Sequence, residues 1–374
     1  MRIGFDAKRL YNNLTGLGNY SRTVVGNLSK YYPQNEYFLY TTKVTDSQET
    51  KTFLSDKFIT RRSKAVSKAL WRSFSVVKEL KKDKIELYHG LSNEIPFNIR
   101  KSGIKSVVTI HDLIFKVYPK HYKRFDRTVY DRKFRYSCEK SDKIIAISEH
   151  TKKDIVKYYK IDASKIEVIY QPCAPLFYEE SRLPNKEVLK KHKLPEKYLL
   201  YVGSVSERKN LKTIIEAYLL IPSEIRIPLV IVGSGGKYMS QSKTLIKKLK
   251  LEKFFIWLEE LSNNQQLKII YQNAAAFIYP SLYEGFGIPI AEALLCKTPV
   301  ITSNTSAMPE AGGPDSIYID PLNERQMAEA IELVLTDASL RKKMTENGYK
   351  YAREKFDAEK CTHQLMQCYR ICLP

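Results

Sequence analysis

Short apolar runs alternate with longer amphipathic stretches along the whole chain. The runs are Arg2–Asp6, Tyr37–Thr41, Ile85–Tyr88, Ser106–Ile110, Lys143–Ile147 and Lys165–Tyr170 in the first half. In the second half they are Tyr198–Val202, Pro228–Val232, Phe254–Leu258, Ala275–Tyr279, Pro299–Thr302 and Ser316–Ile319. Such runs are too short for buried helices and are apolar almost throughout, as strands covered on both faces must be. Gly18–Tyr31 and Glu149–Tyr159, which lie between runs, have helical periodicity. This alternation predicts βαβ units and an α/β fold of two doubly wound domains. The polar, proline-containing stretch Gln171–Lys197 reads as the linker. It places the domains at about residues 1–175 and 190–355.

Length agrees, because 374 residues exceed one typical core. With 43% hydrophobic and 28% charged residues the composition is that of a soluble globular protein, and no apolar run approaches the length that spans a bilayer. Met1-Arg-Ile-Gly-Phe5 enters a strand rather than a signal peptide. The six cysteines (138, 173, 296, 361, 368 and 372) have no CxxC pair or metal-ligand spacing. They read as reduced thiols of a cytoplasmic protein. Net charge is +21, and residues 1–180 hold 35 of the 62 Lys and Arg but 20 of the 41 Asp and Glu. The first half is therefore expected to seek anionic surfaces.

The most informative stretch is Ser281-Leu-Tyr-Glu284-Gly285-Phe286-Gly287-Ile-Pro289-Ile-Ala-Glu292, directly after the run Ala275–Tyr279. Strand, glycine loop and helix follow one another, with Pro289 suited to the first helical position. Unpaired amides at such a helix start favour an anion. Glu284 on the loop and Glu292 in the first turn add acceptors for hydroxyls. Phosphate donors beside carboxylates suit a ligand that carries both phosphate and sugar. The plainer alternative is a glycine-rich turn with two surface glutamates.

Glu-x7-Glu around an internal Gly-Phe-Gly resembles the signature of the retaining glycosyltransferases of the GT-B type, family 4 in particular. The resemblance covers nearly the whole chain. It implies two Rossmann-like domains facing across a cleft, with the acceptor on the first and the nucleotide sugar on the second. It also implies that a C-terminal helix, here 358–374, packs back on the first domain. Glu284 is implied to hold hydroxyls of the donor sugar and Glu292 the ribose diol, with Gly285, Phe286 and Gly287 lining the donor. Gly16 and Gly18, in Thr15-Gly-Leu-Gly-Asn-Tyr20, match a loop that approaches the phosphates or the acceptor. His111, in His111-Asp112 at a strand end, matches the histidine that contacts the transferred sugar, with Asp112 orienting it or its loop. His89 is a second, weaker candidate.

Lys209, with Arg208 beside it, matches the cations that neutralise the departing diphosphate. Many relatives carry an arginine directly after the glycine where this chain has Ser204, which leaves the arginine role open. Val232-Gly233-Ser234-Gly235-Gly236 matches a structural turn. Leu258-Glu259-Glu260-Leu261 matches the nucleobase-contacting segment, with Leu258 and Leu261 as the candidates.

No Asp-x-Asp marks a metal–diphosphate site, so the expectation is metal-independent transfer with no cofactor beyond the nucleotide sugar. His89-Gly-Leu-Ser-Asn-Glu94 and Ala146-Ile-Ser-Glu-His-Thr151 look most like bacterial mannosyltransferases of surface-polysaccharide assembly. GDP-mannose is thus favoured over UDP-sugars, and the acceptor is a glycan or a lipid-linked glycan. Two basic stretches, Arg61–Phe74 and Lys116–Arg135, suggest a peripheral contact with anionic lipid at the inner face of the membrane, with Trp71 and Phe74 entering the interface. The rival explanation of the charge, nucleic-acid binding, would need basic–aromatic interleaving in a known module, and none is evident.

Overall fold

The computed structural model of the chain describes residues 1–65, 67–179, 185–259, 261 and 263–373. Val66 of the first basic stretch, residues 180–184 of the expected linker, Glu260 and Pro374 lie outside the described residues. The chain forms two units: Met1–Ala174 with Phe356–Pro374, and Pro175–Lys355.

The first unit carries a seven-stranded sheet of β1 (Arg2–Asp6), β2 (Glu36–Thr41), β3 (Ile59–Arg62), β4 (Leu87–Gly90), β5 (Lys105–Ile110), β6 (Lys143–Ala146) and β7 (Ile166–Val168). Its order is β3-β2-β1-β4-β5-β6-β7, parallel throughout. The second unit carries β8 (Leu199–Val202), β9 (Leu229–Val232), β10 (Phe255–Leu258), β11 (Ala276–Tyr279), β12 (Val300–Ser303) and β13 (Ile317–Ile319). Here the order is β10-β9-β8-β11-β12-β13, again parallel. Every residue of β8, β9, β11 and β12 is buried. Helices cover both faces of such sheets, which explains the unbroken apolar runs.

Three expectations are corrected. First, β3 (Ile-Thr-Arg-Arg) gives no apolar signal because it is an edge strand, paired only with β2. Second, the stretch Arg61–Phe74 is not one helix turned toward lipid. Arg61 and Arg62 end β3, and helical structure begins at Lys68, passing through a wider turn at Trp71–Ser75. Trp71 is only 4% exposed, and its indole N–H donates to Glu79 Oε1 at 2.6 Å. Arg72 is enclosed by Asp6 and Glu94, and Arg61 grips Asp83. Core packing and ion pairs thus claim Trp71, Arg72 and Arg61, whereas Phe74 stays 43% exposed.

Third, the boundary falls at 174/175, because residues after it belong to the second unit. Lys268 donates to the Leu176 carbonyl at 2.8 Å, and helix Asn185–Lys191 packs on helix Asn264–Gln272. The final helix, Ala358–Cys372, packs on helix Gly16–Tyr31 of the first unit. Its Tyr369 hydroxyl lies 2.6 Å from His89 Nδ1. All six cysteines are buried and none is in a disulfide. Among the described residues no helix is long and apolar enough to cross a membrane.

Candidate active site

In the second unit the strand order reverses between β8 and β11. Loops leaving a parallel sheet on opposite sides of such a point open a crevice at the strands' carboxyl ends. The loop after β8 makes a short turn, Glu207–Lys209, and Asn210 ends it in the left-handed region at φ +56°. The loop after β11 carries Ser281–Gly287. Leu282 N–H donates to the Arg208 carbonyl at 2.8 Å and so ties the two loops together, with Ser281 Oγ 3.1 Å from the same oxygen.

Glu284 Oε1 collects the charge of this crevice. It accepts from Arg208 Nη1 at 2.5 Å, Lys209 Nζ at 2.6 Å, Ser281 Oγ at 2.5 Å and Tyr279 Oη at 3.2 Å. Lys209 also donates to the Tyr279 hydroxyl, and Arg208 to the Tyr283 carbonyl at 2.7 Å. Burial pushes the Glu284 carboxyl up, but the Lys209 and Arg208 charges outweigh it and hold it down at about 2. The carboxylate is thus ionised, and both cations are within reach of any anion that displaces it.

Helix Ile288–Leu295 follows, with Gly287 as its cap at φ +108°, a conformation that glycine adopts without strain. Because that cap starts the helix at Ile288, Pro289 occupies the second position and Glu292 opens the second turn, a residue later than expected. Glu292 is 8% exposed, and the Tyr271 hydroxyl lies 3.3 Å from its Oε2. Burial raises its carboxyl to about 8, against the opposing effect of that hydroxyl. Phe286 is 2% exposed and anchors the loop in the core, and Gly285 is buried beside it.

The Leu258 carbonyl accepts from Gly233 N–H at 3.0 Å, and Leu261 is half-buried. A Cβ on Gly233 would lie 2.0 Å from the Gly203 carbonyl oxygen, so the Val232–Gly236 turn is required for close loop packing.

In the first unit His111 follows β5 and is 5% exposed. Its Nε2 lies 2.9 Å from the Leu91 carbonyl, which can only accept, so Nε2 carries the hydrogen and Nδ1 keeps a lone pair. Burial lowers the imidazole to about 4. His111 is therefore a neutral acceptor at neutral pH, not an acid. The Tyr20 ring packs edge-on at 4.6 Å, and Asn93, left-handed at φ +65°, takes the His111 N–H on Oδ1 at 2.7 Å. Asp112 accepts from Ile114 N–H at 3.1 Å and so shapes the loop.

His89 is fully buried, with Nδ1 on Tyr369 and Nε2 on Thr109 at 2.8 Å. It clasps the final helix through Tyr369. A Cβ on Gly18 would meet the Asn13 carbonyl oxygen at 1.7 Å, whereas one on Gly16 would meet nothing within 4 Å. Gly18 is demanded by packing, and Gly16 leaves open space above the loop.

Sequence reasoning missed Tyr271, which contacts Glu292, and Tyr279 and Ser281, which contact Glu284. Their available signal was position: Tyr271 stands near the end of the helix before β11, Tyr279 ends β11 and Ser281 opens the loop that carries Glu284.

The model of glycosyl transferases group 1 matches residues 185–351, and that of glycosyltransferase family 4 matches residues 21–173. Together the two glycosyltransferase models take in most of the chain, and its fold is that of the GT-B glycosyltransferases. The chain is 27% identical to the O-antigen chain mannosyltransferase B of Escherichia coli, over 99% of the chain and 100% of that protein. It is 32% identical to the O-antigen chain mannosyltransferase RfbU of Salmonella typhimurium, over 60% of the chain and 59% of that protein. In fold it is similar to HepE of Anabaena solved with UDP (TM-score 0.77, 16% identity, 99% and 100% covered). It is likewise similar to WaaG, a glycosyltransferase involved in lipopolysaccharide biosynthesis (TM-score 0.70, 18% identity, 98% of each chain).

Proposed function

We propose that this glycosyltransferase moves mannose from GDP-mannose, with retention at the anomeric carbon, to a glycan or lipid-linked acceptor in surface-polysaccharide assembly. The observation that carries the reading is the cluster of Arg208, Lys209 and Glu284 at the β8/β11 switch point. The diphosphate would take the two cations, and Glu284, released from them, would turn to hydroxyls of the transferred sugar. Glu292 would take the ribose diol. His111 Nδ1 would accept from a sugar hydroxyl.

Charge develops on the leaving diphosphate as the glycosidic bond breaks, and preformed cations stabilise it without reorganising. Arg208 and Lys209 supply that charge, which supports transfer without a metal ion. Full-length similarity to an O-antigen mannosyltransferase supports mannose and, through it, the guanine nucleotide. Structural similarity to a UDP-bound enzyme favours UDP-sugars as the second reading. Thermal-shift titration with GDP-mannose, UDP-glucose and UDP-N-acetylglucosamine separates the two. Greater protection by GDP-mannose is expected.

The reading includes a peripheral membrane contact on the cytoplasmic side, moved from Trp71 to the second basic stretch. Phe125, in the first turn of helix Arg124–Lys140, is 77% exposed, and Lys120, Lys123 and Arg124 beside it are exposed too. An apolar tip among cations fits anionic headgroups above an acyl layer.

A further inference from the structure

Glu284 and Glu292 stand eight residues apart, and so do the two tyrosines that meet them. Tyr271, in helix Asn264–Gln272, donates to Glu292 Oε2 at 3.3 Å. Tyr279, the last residue of β11, donates to Glu284 Oε1 at 3.2 Å and accepts from Lys209. Both rings are buried, at 0% and 1% exposure. Burial also lifts both phenols well above their ordinary range, so they remain donors.

The rings form a continuous row. Tyr271 meets Phe277 edge-on at 5.4 Å, and Phe277 stacks on Tyr279 at 5.6 Å. At the other end Phe177 meets Tyr271 edge-on at 6.2 Å. Phe177 belongs to the segment that follows the boundary between the units. Lys268, 1% exposed, pins that segment by donating to the carbonyls of Leu176 and Glu179. A buried ammonium is retained only where such acceptors offset its desolvation, so the segment is firmly held.

We propose that Tyr271 and Tyr279 are positioning residues that aim Glu292 and Glu284, and that Phe177, seated on Tyr271, makes the segment 175–179 part of the donor site's support. The proposal rests on the donor-site reading given above. It divides the labour. Tyr271 governs a contact that stays constant during the reaction, and Tyr279 governs the charge cluster where charge changes.

Tyr271→Phe and Tyr279→Phe keep the rings and remove one hydroxyl each. Steady-state kinetics with GDP-mannose should show about a tenfold rise in donor KM for Tyr271→Phe with kcat preserved, the upper end of what one net hydrogen bond contributes. Tyr279→Phe should instead lower kcat, again about tenfold, with KM little changed. Phe177→Leu should shift KM in the same direction as Tyr271→Phe. On a Glu292→Gln background, Tyr271→Phe should add nothing further.

A purely structural role would lower the melting temperature and leave KM and kcat of the folded enzyme alone. That result, or equal effects of Tyr271→Phe with and without Glu292→Gln, overturns the proposal while the donor site stands. An unchanged KM in Glu292→Gln itself overturns both. If Tyr271→Phe does not fold, Phe177→Leu decides: a wild-type KM overturns the proposal.

Discussion

Lys209 Nζ lies 2.6 Å from Glu284 Oε1, so without a ligand the cation assigned to the diphosphate is already neutralised by the carboxylate assigned to the sugar. The pair is nearly enclosed, with side chains 10% and 11% exposed, and a carboxylate there competes directly with an incoming phosphate. Glu284→Gln should therefore bind GDP more tightly than wild type while transferring more slowly, by roughly 10²-fold. Titration calorimetry with GDP and a turnover assay check the two arms. Weaker GDP binding in Glu284→Gln would contradict the competition.

Lys209 and Glu292 should fail differently. Lys209 meets charge that grows in the transition state, so Lys209→Ala should lower kcat by roughly 10²–10³-fold. Glu292 meets a diol that does not change, so Glu292→Ala should appear mainly in donor KM. Initial rates over a range of donor concentrations distinguish the two.

The two glutamates also predict opposite pH behaviour. Glu292 is raised in the folded chain from an ordinary 4.5 to about 8. Folding then favours its protonated form, so its contribution to stability is full below pH 4.5 and is lost as pH rises toward 8. Glu284 is lowered to about 2, so its contribution is present above the ordinary value and is lost only as pH falls toward 2. Between pH 6 and 8.5 Glu292→Gln should flatten the fall in denaturation midpoint. Tyr271 on the facing helix, Cys296 on the same helix and Lys268, which acts on Cys296, are the other groups around it.

Phe125→Ser should weaken sedimentation with anionic vesicles at low salt. Added salt should release the wild type, because screening shortens the reach of Lys120, Lys123 and Arg124. Equal binding to neutral vesicles would contradict an electrostatic contact.

Much of this was legible in the sequence because the physics is local. Buried parallel strands must be apolar throughout, so β8, β9, β11 and β12 announce themselves, and the strand–glycine–helix order exposes the motif at 284–292. What was not legible depends on partners distant in sequence. Trp71 looks amphipathic beside its arginines, but its fate is decided by Glu79, and that of Arg72 by Asp6 and Glu94. An edge strand such as Ile59–Arg62 needs only one neighbour and leaves no apolar trace. Tyr271 and Tyr279 read as core aromatics until the glutamates that accept their hydrogen bonds come into view.

The most direct test is transfer of labelled mannose from GDP-mannose to lipid-linked acceptors in isolated membranes, in the presence of EDTA, by wild type and by Lys209→Ala. Incorporation by the wild type that survives EDTA and falls at least tenfold in Lys209→Ala is the predicted result. Absence of incorporation, its abolition by EDTA with rescue by magnesium or manganese, or equal rates in the two proteins would contradict a metal-free donor site built on Lys209.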